Sequence, residues 1–166
     1  MHERPLAQLE HLGDAVRYAD RLLDFAPSCQ LLENLSGTEV RLLARYLEIY
    51  RAQSGTEVVR QEAPDDFLLL VVEGEAILRD DGRESALASV GPGAVLGEMS
   101  LIDGAPRRAS CIAQQPLLVA VLERESLARM IVEHPGLGAK LMMHLVIILA
   151  RRVRGIGEHA GLIGML

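Results

Sequence analysis

The 166-residue sequence predicts an α+β, mainly β domain, an antiparallel sandwich, roll or barrel flanked by N-terminal helices and two C-terminal helices. Three observations predict it. Residues 55–122 hold short apolar runs broken by Gly, Pro and Asp, whereas the segments on either side repeat apolar residues at helical spacing. Hydrophobic residues make up 49 % of the chain and charged residues 24 %, enough apolar material for a packed core and too much for a disordered chain. Aromatics are only 3 % and Trp is absent, so the core is built from Leu, Val, Ile, Ala and Met, and stacking platforms for single-stranded nucleic acid are scarce.

Between Pro5 and Phe25, Leu6, Leu9, Leu12, Val16, Leu22 and Leu23 recur at helical spacing, which predicts one or two helices broken at Gly13; Pro27 ends that segment. Ser36-Gly37-Thr38-Glu39 reads as a capping box, and the helix it opens carries Val40, Leu43, Leu47 and Tyr50 on one face to about Arg51. Residues 1–51 are therefore expected to be an N-terminal helical segment. Val58-Val59, Phe67 to Val72, Ala76 to Leu78, Ala86 to Val90, Ser110 to Ala113 and Leu117 to Leu122 are the candidate strands. Asp80-Asp81-Gly82 predicts a hairpin turn in which Gly82 supplies a positive φ, and Gly91-Pro92-Gly93 is a second break.

Glu123 to Glu133 reads as an amphipathic helix with Leu127, Met130 and Ile131 inward, and His134-Pro135-Gly136 ends it. In the long helix that follows, Leu137 to Arg154, one stripe holds Leu141, Leu145, Ile148 and Arg152 and another holds Met142, Val146 and Leu149. Apolar over so much of its circumference, this helix is expected to be buried on two sides, one of them a second copy: a homodimer through helix 137–154 pairing Leu141, Leu145 and Ile148 with their mates. The glycine-rich residues 155–166 read as a flexible tail.

A formal charge of −6 and a pI near 5.4 oppose non-specific binding to nucleic acid or an anionic membrane face. The N-terminal MHERPLAQLEHLGD lacks the apolar run of a signal peptide. Leu141 to Ala150, interrupted by His144, falls short of the roughly 20 residues that span a bilayer. Cys29 and Cys111 match no metal or redox spacing. A soluble cytoplasmic protein with reduced thiols and no membrane insertion is expected. Histidine is absent between Gly55 and Leu122, where a cupin-type metal site would need it, and no nucleophile arrangement is visible. Neither catalysis nor a metal is expected.

Gly97-Glu98-Met99-Ser100-Leu101 and Pro106-Arg107-Arg108-Ala109-Ser110, joined by a short loop, carry the chemistry. Glycine lets backbone amides approach a phosphate, a guanidinium adds forked and permanently charged donors, and a carboxylate accepts sugar hydroxyls while repelling bare phosphate. The segment resembles the phosphate-binding cassette of the cyclic-nucleotide-binding domain family, the family of the catabolite activator protein and the protein kinase A regulatory subunit. Its pattern is G-E-hydrophobic-small-L, a loop, then P-R-x-A-S/T. The resemblance extends over residues 52–154.

It implies an antiparallel β-roll, a double-stranded β-helix of jelly-roll type, over residues 55–122, with the long helix covering the base. It implies that Glu98 accepts the ribose 2′-hydroxyl, that Arg107 pairs with the cyclic phosphate helped by amides near Arg108 and Ala109, and that the Ser100 carbonyl meets the sugar. Gly97, Met99 and Ser110 complete the ligand-binding set. Arg108 departs from the usual Ala, Ser or Thr and is expected to point to solvent. Leu141-Met142-Met143-His144-Leu145 has no counterpart of the Thr-Ser pair with which the catabolite activator reads adenine. The expected function is a non-catalytic cyclic-nucleotide sensor, cyclic AMP first and cyclic GMP or cyclic di-GMP as alternatives, signalling through its C-terminal helix to an unidentified protein partner. The rival reading is an interaction module with a vestigial pocket. Direct DNA readout would need a further helix-turn-helix domain and is not expected.

Overall fold

A computed structural model describes residues 5–156. Its strands are β1 (Glu10–Asp14), β2 (Glu48–Ala52), β3 (Glu57–Val59), β4 (Phe67–Glu73), β5 (Ala76–Arg79), β6 (Ala88–Val90), β7 (Val95–Leu96), β8 (Ser110–Ala113) and β9 (Leu117–Glu123). Its helices are α1 (Ala19–Phe25), α2 (Gly37–Ala44), α3 (Glu98–Asp103), α4 (Arg124–Glu133) and α5 (Pro135–Ile156). The strands form a five-stranded sheet in the order β1-β2-β9-β4-β7 and a four-stranded sheet in the order β3-β8-β5-β6, with antiparallel pairing throughout. This is the helix-flanked antiparallel β architecture that the sequence predicts.

The two central strands explain how one sheet serves two cores. In β4 and β9 successive side chains point to opposite faces, so Leu68, Leu70, Leu118, Ala120 and Leu122 face one way while Leu69, Val71, Val119 and Val121 face the other. The first set packs against α1, α2, α4 and α5 through Leu22, Leu43, Met130 and Leu141. The second set packs against Val58, Ala76 and Cys111 of the smaller sheet. A strand covered on both faces has no polar side to show, hence the uninterrupted Phe67-Leu68-Leu69-Leu70-Val71-Val72. At the end of β4, Gly74 has φ +89°, and a Cβ there would lie 2.4 Å from the Pro116 carbonyl oxygen.

The departures from the sequence reading lie mostly at the N-terminus. Residues 1–51 are not wholly helical: Pro5–Gln8 is a 3₁₀ turn, β1 pairs with β2, and β2 pairs with β9. The capping box opens α2 as expected, but the helix stops at Ala44 rather than near Arg51. Leu47 and Tyr50 fit a helical period, yet Ile49 and Tyr50 are better strand formers and gain a ladder against β9. The Asp80 turn forms, but its geometry rests on the Asp80 carboxylate accepting from the Gly82 amide at 3.0 Å, and Gly82 is not among the positive-φ glycines. Leu127 and Met130 are buried as expected, whereas Ile131 is 40 % exposed. The stripe Leu141, Leu145 and Ile148 is buried in the chain's own core, so these residues are not free to pair with a second copy. Residues 155 and 156 continue α5; the rest of the expected tail, 157–166, lies outside the described residues. Among the described residues no helix is long and apolar enough to cross a membrane.

Candidate functional site

The site begins with Gly97, which links β7 to α3. It takes φ +82° at the N-cap of α3, and a Cβ would lie 2.2 Å from Arg107 Nη1 and 3.0 Å from the Phe67 carbonyl oxygen. Only glycine allows both the left-handed turn and the close approach of that guanidinium. Glu98, next in the chain, is 0 % exposed and Arg107 is 1 % exposed. The loop after α3 returns Arg107 beside Gly97, where Nη1 donates to the Gly97 carbonyl at 3.2 Å and Nη2 to the Phe67 carbonyl. The guanidinium carbon lies 4.4 Å from the Phe67 ring centroid. Reciprocal backbone bonds from Glu62 N to the Arg107 carbonyl (2.8 Å) and from Arg107 N to the Ala63 carbonyl (3.0 Å) pin the loop.

Charge at the site is concentrated and poorly solvated. Burial pushes the Glu98 carboxyl above the usual carboxylate range, against the opposing pull of Arg152, its own amide and Arg107. Burial likewise lowers Arg107, with Asp65, Glu98 and Asp66 pulling the other way. Arg152 of α5 brings Nη1 to 2.6 Å from Glu98 Oε1, while its Nη2 donates to the Val95 carbonyl at 3.0 Å. The contact with Glu98 is one of charge rather than of aligned donors: neither carboxylate oxygen has a well-formed hydrogen bond, and Arg107 Nε has none either. Buried polar atoms left in this condition mark where a polar ligand would find partners.

The remaining predicted residues fall around this centre. Met99 is half-buried and Ser100 buried, its carbonyl accepting from the Gly104 amide at 2.9 Å to close α3. Arg108 is exposed, while Ala109 and Ser110 are buried, with Ser110 Oγ accepting from the Gln61 amide at 3.0 Å. Two participants were not singled out as site residues from the sequence. Asp65 stands in the loop before β4 and gives no local pattern. Arg152 was legible only as the charged member of an apolar stripe. His144 meets the Leu31 carbonyl through Nδ1 at 2.8 Å. A cleft of about 540 Å³ lies away from Glu98 and Arg107, at the α4–α5 elbow, lined in part by Glu39, Glu133, His134 and Lys140.

Chemically, a carboxylate and a guanidinium on either side of one glycine can hold a hydroxyl and an anion of the same small molecule. Residues 50–134 match the profile of the cyclic nucleotide-binding domain. The chain belongs to the cyclic-nucleotide-binding domain family. Over 97 % of its length and 98 % of the other chain, it superposes with TM-score 0.80 and 34 % identity on a cyclic nucleotide-binding domain from Methylobacillus flagellatus KT. It is 25 % identical over 127 residues to a CRP-like cAMP-activated global transcriptional regulator of Mycobacterium tuberculosis, covering 75 % of this chain and 55 % of the regulator. It is 30 % identical over 107 residues to a cAMP-dependent protein kinase regulatory subunit of Aspergillus niger, covering 64 % of this chain and 26 % of the subunit. The chain thus spans about half the length of the transcriptional regulator and a quarter of the kinase regulatory subunit. The fold is accordingly the β-roll of cyclic-nucleotide-binding domains, and the relatives are regulatory proteins.

Proposed function

We propose that this chain is a non-catalytic sensor of a cyclic nucleotide, with cyclic AMP as its first ligand. The observation that carries the reading is the buried pair Glu98 and Arg107, which flank Gly97 with both carboxylate oxygens and one guanidinium nitrogen lacking hydrogen bonds. Glu98 would take the ribose 2′-hydroxyl. Arg107 would exchange its bonds to the Gly97 and Phe67 carbonyls for the cyclic phosphate, helped by the amides of Arg108 and Ala109. An acidic protein holds such a monoanion because the charge it meets is local. The relatives' names, cAMP-activated and cAMP-dependent, support adenine over guanine.

The output runs through α5, which packs over the site and contacts it through Arg152, to a protein partner in the cytoplasm. A ligand shifts only states it contacts differently, and α5 is the element that reaches Glu98 through Arg152. A homodimer is part of this reading, through the outward stripe Met143, Val146, Ile147 and Val153. No direct DNA contact is assigned to the described residues.

Calorimetric titration with cyclic AMP, cyclic GMP and cyclic di-GMP tests the reading. Cyclic AMP is expected to bind saturably, and Arg107→Ala to weaken that binding by about 2–5 kcal/mol, the cost of removing one member of a buried charged pair. Equal affinity in Arg107→Ala overturns its role, and binding of none of the three leaves the interaction module as the reading.

A further inference from the structure

We propose that Arg152 is an internal competitor for the nucleotide: its guanidinium and the ligand's sugar hydroxyl claim the same carboxylate, so seating of the last turns of α5 and binding at Glu98 exclude one another. The inference rests on the reading of Glu98 just given and adds what regulates access to it.

Four observations support it. Glu98 is 0 % exposed, so nothing reaches its oxygens unless a neighbouring group moves aside. Arg152 Nη1, 2.6 Å from Glu98 Oε1, is that neighbour, and its side chain is 22 % exposed and therefore has a way out to solvent. The contact is unaligned, with no hydrogen bond at either Glu98 oxygen, and Arg152 donates otherwise to the Val95 carbonyl. A buried ion pair of imperfect geometry recovers little of its desolvation cost, so a well-aimed hydroxyl can replace it.

The fourth observation is the phase of α5. Leu141, Leu145 and Ile148 are buried at successive turns, and Arg152 follows on the same stripe one turn later. A guanidinium gains nothing from an apolar seat, so this turn is held by Glu98 and the Val95 carbonyl rather than by burial. Removing that hold changes the attachment of the helix end without touching its apolar anchor. The device therefore couples one carboxylate to the position of the element that carries the signal.

The experiment compares the full chain with Arg152→Ala and with Arg152→Met, the second keeping the length of the stem. Binding of cyclic AMP is measured by calorimetry, and hydrogen exchange of the amides of residues 149–155 is measured without nucleotide. Both variants are expected to bind at least fivefold more tightly and to exchange at least tenfold faster over those residues, while the amides of β4 and β9 keep their protection. Unchanged or weaker affinity in both variants overturns the competition. Should neither the parent nor the variants bind cyclic AMP, cyclic GMP or cyclic di-GMP, the reading of the pocket fails, and exchange alone then decides: unchanged rates in the variants overturn the hold of Arg152 on α5.

Discussion

Glu98 and Arg107 show how much a pair of residues can carry and how much their surroundings add. Both were legible from the segment Gly97 to Ser110 through its resemblance to the family's cassette, whose Gly-Glu start and Pro-Arg finish combine amide access, carboxylate and guanidinium. What could not be read is that both are buried, since burial comes from α5 and from the loop before β4, distant in sequence. That burial has a measurable consequence. Folded Glu98 holds its proton to higher pH than an unfolded glutamate at 4.5, so between those two values the folded state binds more protons. Its contribution to stability is full below 4.5 and is lost as pH rises through the folded value. Urea unfolding of Glu98→Gln and of the parent across this window should show the stability of Glu98→Gln minus that of the parent growing with pH; a constant difference would refute the shift. Cys111, by contrast, is simply buried, its thiol pushed up to about 12.

At the scale of elements, local chemistry predicted best where it was self-contained. In the capping box of α2, Ser36 Oγ accepts from the Glu39 amide at 3.1 Å and Glu39 Oε1 accepts from the Ser36 amide at 3.0 Å. Lys140 of α5 also reaches Glu39, at 2.9 Å, so the cap doubles as a tie between helices. Ser36→Ala should lower stability by about 0.5–2 kcal/mol in urea unfolding, and a change within error would show the cap to be idle. Six strands were placed to within two residues or so because each is a short run of strand formers between breakers. β1, β2 and β7 were missed. Each exists because a partner strand satisfies its backbone: β2 for β1, β9 for β2, β4 for β7.

For the whole molecule, the long helix α5 decides most. Its two-sided apolar character implied more than one packing surface, but not which stripe faces the domain. The inner stripe belongs to the chain's own core; Met143, Val146, Ile147 and Val153 remain outward at 60 %, 55 %, 37 % and 69 % exposure. Apolar side chains aligned on one helix face at this exposure are the expected mark of a partner surface. Sedimentation at micromolar concentrations should report a dimer that Val146→Glu dissociates without loss of folding, because that side chain packs against nothing essential to the domain. A monomeric parent protein would remove the pairing.

Composition and patterning by themselves determined the class of fold, most strand positions and the two C-terminal helices, because these depend on neighbours within a few residues, while the cassette was read through its resemblance to a family. Only the tertiary structure decided that β1 and β2 join the main sheet, that Gly97 must admit a guanidinium, and that Arg152 meets Glu98. Those facts depend on backbone pairing and on side chains brought together from distant parts of the chain, and no local period records which distant group will arrive.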